Sequence, residues 1–186
     1  MAGTTDDGGG RRGNPRRMAI WGAAALVLLL PLVAMQFTGE VAWDLADFAI
    51  FGAMLAGACG TYELAARATG NKAYRAAVGV ALATAFILVW MNLAVGIIGN
   101  EENPANLMYG GVLAVGVVGA FIARFRPHGM ERALVATALA QALVAAIALI
   151  AGLGYTLILT GFFVALWLTS ARLFGQAARE RAPAGA

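Results

Sequence analysis

Long apolar stretches alternate with short polar ones along this chain, and the apolar stretches set the architecture. Six runs dominated by Ala, Leu, Val, Ile, Met and Phe stand out, at about 18–38, 45–66, 75–98, 106–125, 131–151 and 155–174. Each is long enough to cross a bilayer, whose hydrocarbon core takes roughly 20 residues at ~1.5 Å rise per residue. The runs are continuous rather than alternating with a period of two, which speaks against a β-barrel. The pattern therefore predicts an all-α, helical integral membrane protein with about six transmembrane helices in one bundle. The last pair is the least clearly divided. In LIAGLGYTL (149–157) only Gly152 and Gly154 interrupt the run, so either a very tight turn or one long broken passage lies there. Segments 1–17 and 175–186 are poor in apolar residues, cannot repay the entropy of ordering, and are expected to be disordered cytoplasmic tails.

The polar connections orient the spans. Arg11, Arg12, Arg16 and Arg17 precede the first run, and Arg67, Lys72 and Arg75 follow the second. Arg124, Arg126 and Arg132 follow the fourth, and Arg172, Arg179 and Arg181 close the sixth. These are all 13 basic residues, and in a six-span path every one falls on the same side. The opposite side carries GEVAWD (39–44), GNEENPAN (99–106) and GLG (152–154), without a Lys or Arg. Positive flanks resist translocation, so both termini are expected in the cytoplasm. Trp43, Tyr109 and Tyr155 fall at outer ends and Trp21, Tyr62 and Tyr74 at inner ends, as interfacial anchoring requires. The Arg-rich start of the first run fits an export signal, but the run is long and its small-residue cleavage pattern poor, so it is kept as a span.

Composition narrows the classes further. Hydrophobic residues make up 61% and charged residues 12%, against about a quarter charged in a soluble domain. The net charge of +3 comes from membrane flanks, so the expected partner is the lipid bilayer and no nucleic acid. A single cysteine, Cys59, and a single histidine, His128, exclude a disulfide framework and any Cys/His metal spacing. No catalytic residue, cofactor or metal ligand is expected.

The polar residues inside or beside the spans are the candidates for chemistry. Asp44 and Asp47 share a face at the outer end of the second span, Asp47 lying ~4.5 Å deeper. A carboxylate within a span is costly and by default marks function, but near a helix start the dipole also favours it. The pair lacks the further spaced acid of the aspartate motifs of head-group transferases and prenyltransferases. Glu63 is placed to pair with Arg67 four residues on. Asn92 and Gln141 each need hydrogen-bond partners in lipid, and interhelical bonding is the expected role for both.

GNEENPANLMYGG (99–111) reads mostly as turn grammar. Gly99-Asn100 suits a left-handed helix end, Asn103-Pro104 a helix start, and Asn106 a slightly later cap. Glu101 and Glu102 are left over. With Glu40, Asp44 and Asp47 they form an acidic outer rim able to attract cations. Asp44, Asp47, Asn92, Glu101 and Glu102 are thus the candidate polar pathway.

Gly52, Ala56 and Gly60, spaced by four, make a small-residue ridge on the second span, the candidate helix-contact face. Gly110/Ala114 and Gly116/Ala120 repeat the spacing on the fourth. Such faces serve packing within the bundle, a homo-oligomer or a membrane-protein partner.

The stretch DFAIFGAMLAGACGTYELAARATGNKAYRAAVGVALATAFILVWMNLAVGIIGNEENPANLMYGG (47–111) resembles a group of small polytopic bacterial inner-membrane proteins. The resemblance implies a location and supplies no site residues. Three functional classes remain open. They are an accessory protein binding partner proteins or lipids, a small cation or proton transporter using the acidic rim, and a lipid-modifying enzyme.

Overall fold

The computed structural model describes residues 15–39, 41–100, 102–153 and 157–181, with the backbone alone at residue 16. Glu40, Glu101 and the expected tail residues 1–14 and 182–186 lie outside the described residues. The protein is all-helical, with no strand among the described residues. Its helices are Pro15–Ala34 (α1), Leu45–Ala68 (α2), Lys72–Ala94 (α3), Met108–Ile122 (α4), Pro127–Ile150 (α5) and Leu157–Arg181 (α6). A 3-10 turn, Pro104–Leu107, leads into α4. With that turn counted into the fourth, all six are long and apolar enough to span a membrane.

The chain divides into two compact units, Met1–Glu63 and Leu64–Ala186. In the first, none of the described side chains of α1 is buried and α2 buries only Phe51, against which Trp43 stacks edge-on at 5.3 Å. Glu63 is held by two residues of α1, Trp21 donating from Nε1 at 3.1 Å and Arg17 pairing through Nε at 3.1 Å. The local i,i+4 spacing did not reveal this long-range pairing.

The second unit holds the core. α5 and α6 form a hairpin, α3 packs antiparallel on α6, and α4 packs antiparallel on α5. Leu88, Ile98, Tyr109, Phe163 and Phe174 are its largest fully buried apolar side chains. Close approach of α4 and α5 depends on glycine. A Cβ on Gly119 would come within 2.8 Å of the Ala133 Cβ, and one on Gly129 within 2.7 Å of the Ala123 Cβ.

The helix ends have local causes. α5 stops at a Schellman turn: Gly152 takes φ +67°, Leu153 N–H donates to Ala148 C=O at 2.9 Å, and Gly152 N–H to Leu149 C=O. Hence α5 ends at Ile150, before the separate helix α6 begins at Leu157. The same turn ends α4, but there the left-handed positions are Arg124 (φ 50°) and Phe125 (φ 57°). Phe125 C=O is fixed by the Tyr74 hydroxyl at 2.9 Å, and Pro127 forces Arg126 into extended backbone before α5 begins. α3 ends earlier than expected, at Ala94 rather than 98, because Gly96 (φ +68°) supplies the left-handed position ahead of Gly99.

α6 continues through Arg181, past the expected boundary at 174 and into the stretch expected to be disordered. The extra turns dock on the start of α3. Asn71 Nδ2 donates to Glu180 at 2.8 Å, Arg181 donates to Thr69 Oγ1 at 2.8 Å, and the Arg181 guanidinium lies 5.4 Å from the Tyr74 ring. Ala177 is fully buried beneath them.

Candidate functional site

The second unit has two chemically distinct ends. Antiparallel packing gathers Lys72, Arg75, Arg124, Arg126, Arg132, Arg172, Arg179 and Arg181 toward one end, the basic end. The connection from α3 to α4 stands at the other, the loop end. Here the 96–107 segment is pinned by one side chain, Asn106. Its Oδ1 accepts from Ile97 N–H at 3.0 Å and Ile98 N–H at 2.8 Å, and its Nδ2 donates to Asn100 C=O at 2.6 Å and Ile98 C=O at 3.3 Å. Asn106 is therefore a peg through the loop rather than a helix cap. Asn103 does cap, accepting from Ala105 N–H at 3.0 Å with Pro104 in the first turn.

At this loop, between the end of α3 and the start of α4, lies a cavity of about 510 Å³ that is open to the surface, with Leu93 and Leu107 of its wall exposed. Asn92, Glu102, Asn103, Asn106, Tyr109 and Gly110 contribute to its wall, with apolar side chains between them. Gly110 faces open space: a Cβ there would meet nothing within 4 Å. Asn92 donates weakly to Leu88 C=O of its own helix at 3.4 Å, and its buried Oδ1 has no hydrogen-bond partner among the described residues.

The candidate polar pathway splits at this point. Asn92 and Glu102 share the cavity. Asp44 and Asp47 instead close on each other as a reciprocal capping box: Asp47 N–H donates to Asp44 Oδ1 at 2.9 Å, and Asp44 N–H to Asp47 Oδ2 at 3.0 Å. Both are exposed, and capping the first turn of α2 accounts for them. Comparisons with family models, curated proteins and solved structures return no match.

The candidate contact ridge on α2 is used only at its upper end. A Cβ on Gly52 would lie 3.8 Å from Leu28 of α1, while Ala56 is exposed and Gly60 faces open space. On α4 the ridge runs through Gly116, near Thr137, and Gly119.

Gln141 overturns the expectation of interhelical bonding. It is fully buried in α5, and neither Nε2 nor Oε1 has a partner among the described residues. Thr160 Oγ1 and Trp167 Nε1 on α6 share that condition. Leaving such a group unpaired in a protein interior costs about 1–3 kcal/mol. By contrast Thr84, Thr137 and Ser170 are all satisfied, donating to Val80, Ala133 and Ala77 carbonyls at 2.7–2.9 Å. Among the described residues no group of three or more His, Cys, Asp or Glu converges as a metal site would require.

Proposed function

We propose that the chain is a multi-pass protein of a bacterial inner membrane that binds a small polar solute at the loop end of its four-helix unit. The observation that carries this reading is the cavity walled by Asn92, whose Oδ1 is buried without a partner, and by Glu102. A pocket that is mostly apolar with a few convergent polar groups is the usual form of a small-molecule site. The one-sided distribution of basic residues supports a cytoplasmic basic end and an outward-facing loop end. Binding a solute from outside is the first step of transport.

Native mass spectrometry of the protein released from lipid nanodiscs tests the reading. The expected result is a retained small molecule that disappears in Gly110→Leu, which adds a side chain at the cavity wall where a Cβ meets nothing within 4 Å. A wild-type protein that carries nothing, or a Gly110→Leu protein that carries the same mass, counts against it. The same spectra address a second reading, an accessory protein that docks through α2. The open positions at Gly57 and Gly60 and the exposed Ala53 and Ala56 favour that one, and it requires a second copy or a partner in the released complex.

A further inference from the structure

The basic end of the second unit carries more positive charge than its own acids neutralise. Two described carboxylates stand there, and neither is paired with an arginine. Glu180 accepts from Asn71 Nδ2 at 2.8 Å and from Gln176 Nε2 at 3.1 Å. Glu131 pairs with His128 at 3.6 Å. Its Oε1 lies 2.6 Å from where a Cβ on Gly175 would stand, so glycine at 175 lets this carboxylate rest against α6. Arg124, Arg126 and Arg132 are exposed and make no hydrogen bond or ion pair among the described residues. One stripe of α5 runs from that charge into purely apolar surface. His128, Glu131, Arg132, Val135, Ala136 and Leu139 follow one another at helical spacing and line a shallow, open groove of about 430 Å³. Arg132 is the last charged residue of α5. Val135, Ala136 and Leu139 are exposed and lie roughly 5–10 Å further from the basic end. Leu143 and Ile147 prolong the exposed apolar stripe.

We propose that this stripe seats an anionic glycerophospholipid of the leaflet bordering the basic end, with its phosphate on Arg132 and one acyl chain along Val135, Ala136 and Leu139. The seat lies at the opposite end of the unit from the solute cavity and does not depend on it. Charge complementarity selects the occupant. A guanidinium matches the paired oxygens of a phosphate, and basic clusters at the ends of spans recruit anionic lipids. A zwitterionic lipid also has a phosphate, but its ammonium would enter the field of Arg124 and Arg126 just before the helix. The one acid able to balance that ammonium, Glu131, is engaged by His128 and rests against α6. A soluble anion would leave Val135 and Leu139 uncovered, whereas an acyl chain covers them and the small Ala136 between them gives it room. A second copy docking here about a two-fold axis along the membrane normal would set Arg132 beside its own counterpart. Like charges so placed repel, and no described acid offsets them.

Native mass spectrometry of the full chain, released from nanodiscs of equimolar phosphatidylglycerol and phosphatidylcholine, tests the proposal. The wild-type protein is expected to retain phosphatidylglycerol in preference to phosphatidylcholine. Arg132→Gln should lower that preference about fivefold, and Arg132→Lys by less. Glu131→Gln, which removes the one acid lining the groove, should raise it. Lys72→Gln lies on α3, which packs on α6 and α4, and should leave the preference unchanged. Equal losses in Arg132→Gln and Lys72→Gln would show that the whole basic end attracts the leaflet without a seat, and would overturn the proposal. A second copy retained in place of lipid overturns it as well. Photo-crosslinking of the wild-type protein locates the lipid without any substitution. A phosphatidylglycerol bearing a diazirine midway along one chain should mark 135–143 of α5. Marks spread evenly over all the helices sink the proposal. Excess soluble glycerol 3-phosphate should leave the marking intact, and its loss would mean that the seat takes a free phosphate instead of a lipid.

Discussion

Single residues carry information here that their neighbours in sequence do not. Asn103 behaves as its type and position predict, because an N-cap is decided by the next few residues alone. Asn106 does not, because the groups it satisfies lie six to nine residues back, across a loop whose path only the fold defines. Glu63 also makes contacts that its neighbours in sequence do not announce, to α1 residues 42 and 46 positions away. The left-handed pair Arg124-Phe125 is also invisible in the sequence, since RFRP contains no glycine. This pair gives a stability prediction. A left-handed conformation costs a residue with a Cβ roughly 1–2 kcal/mol, and glycine part of that in lost entropy. Arg124→Gly should therefore stabilise the protein by about 1 kcal/mol, read as a later midpoint in SDS titration from mild detergent. An earlier midpoint would mean that the Arg124 side chain contributes more than its backbone costs.

At the scale of elements, the existence and rough placement of all six helices were legible, because continuous apolar runs of this length have few other solutions in a membrane. Their contact faces were not. Small-residue spacing marks several overlapping ridges on one helix, and only the partner decides which is used. On α4 the partner's own small residue, Ala133, selects Gly119, which lies outside the two spaced pairs read from the sequence. On α2 the ridge is legible yet mostly open. The two helices should respond oppositely to the same change. Gly119→Leu must push α4 off α5 and should cost about 3 kcal/mol. At Gly60 a Cβ meets nothing within 4 Å, so Gly60→Leu should shift stability by less than about 0.5 kcal/mol. Denaturant midpoints of the two variants, compared with wild type, provide the check. A Gly60→Leu protein that unfolds as readily as Gly119→Leu would show that the α2 face is already packed against something in the membrane.

For the molecule as a whole, burial is divided very unevenly between the units. Among the described residues every buried side chain except Phe51 belongs to the segment beginning at Leu64. That segment also has its own interlock: the last turns of α6 are tied to the start of α3 through Asn71–Glu180 and Thr69–Arg181. Its positive flank is internal too, since Arg67 precedes α3 and Lys72 and Arg75 lie in the first turn of α3. Because helices in lipid associate through close packing and not through expulsion of water, a unit that already contains nearly all of the packed contacts does not need the first two helices to fold. Residues 64–186 expressed alone should therefore insert and resist proteolysis in mild detergent. The complementary segment 1–63, with one buried side chain, should be degraded or require a partner. If 64–186 is the one that aggregates while the full chain is stable, α1 and α2 are needed to complete the four-helix unit, and the solute site proposed at its loop end would have to be reconsidered with them in place.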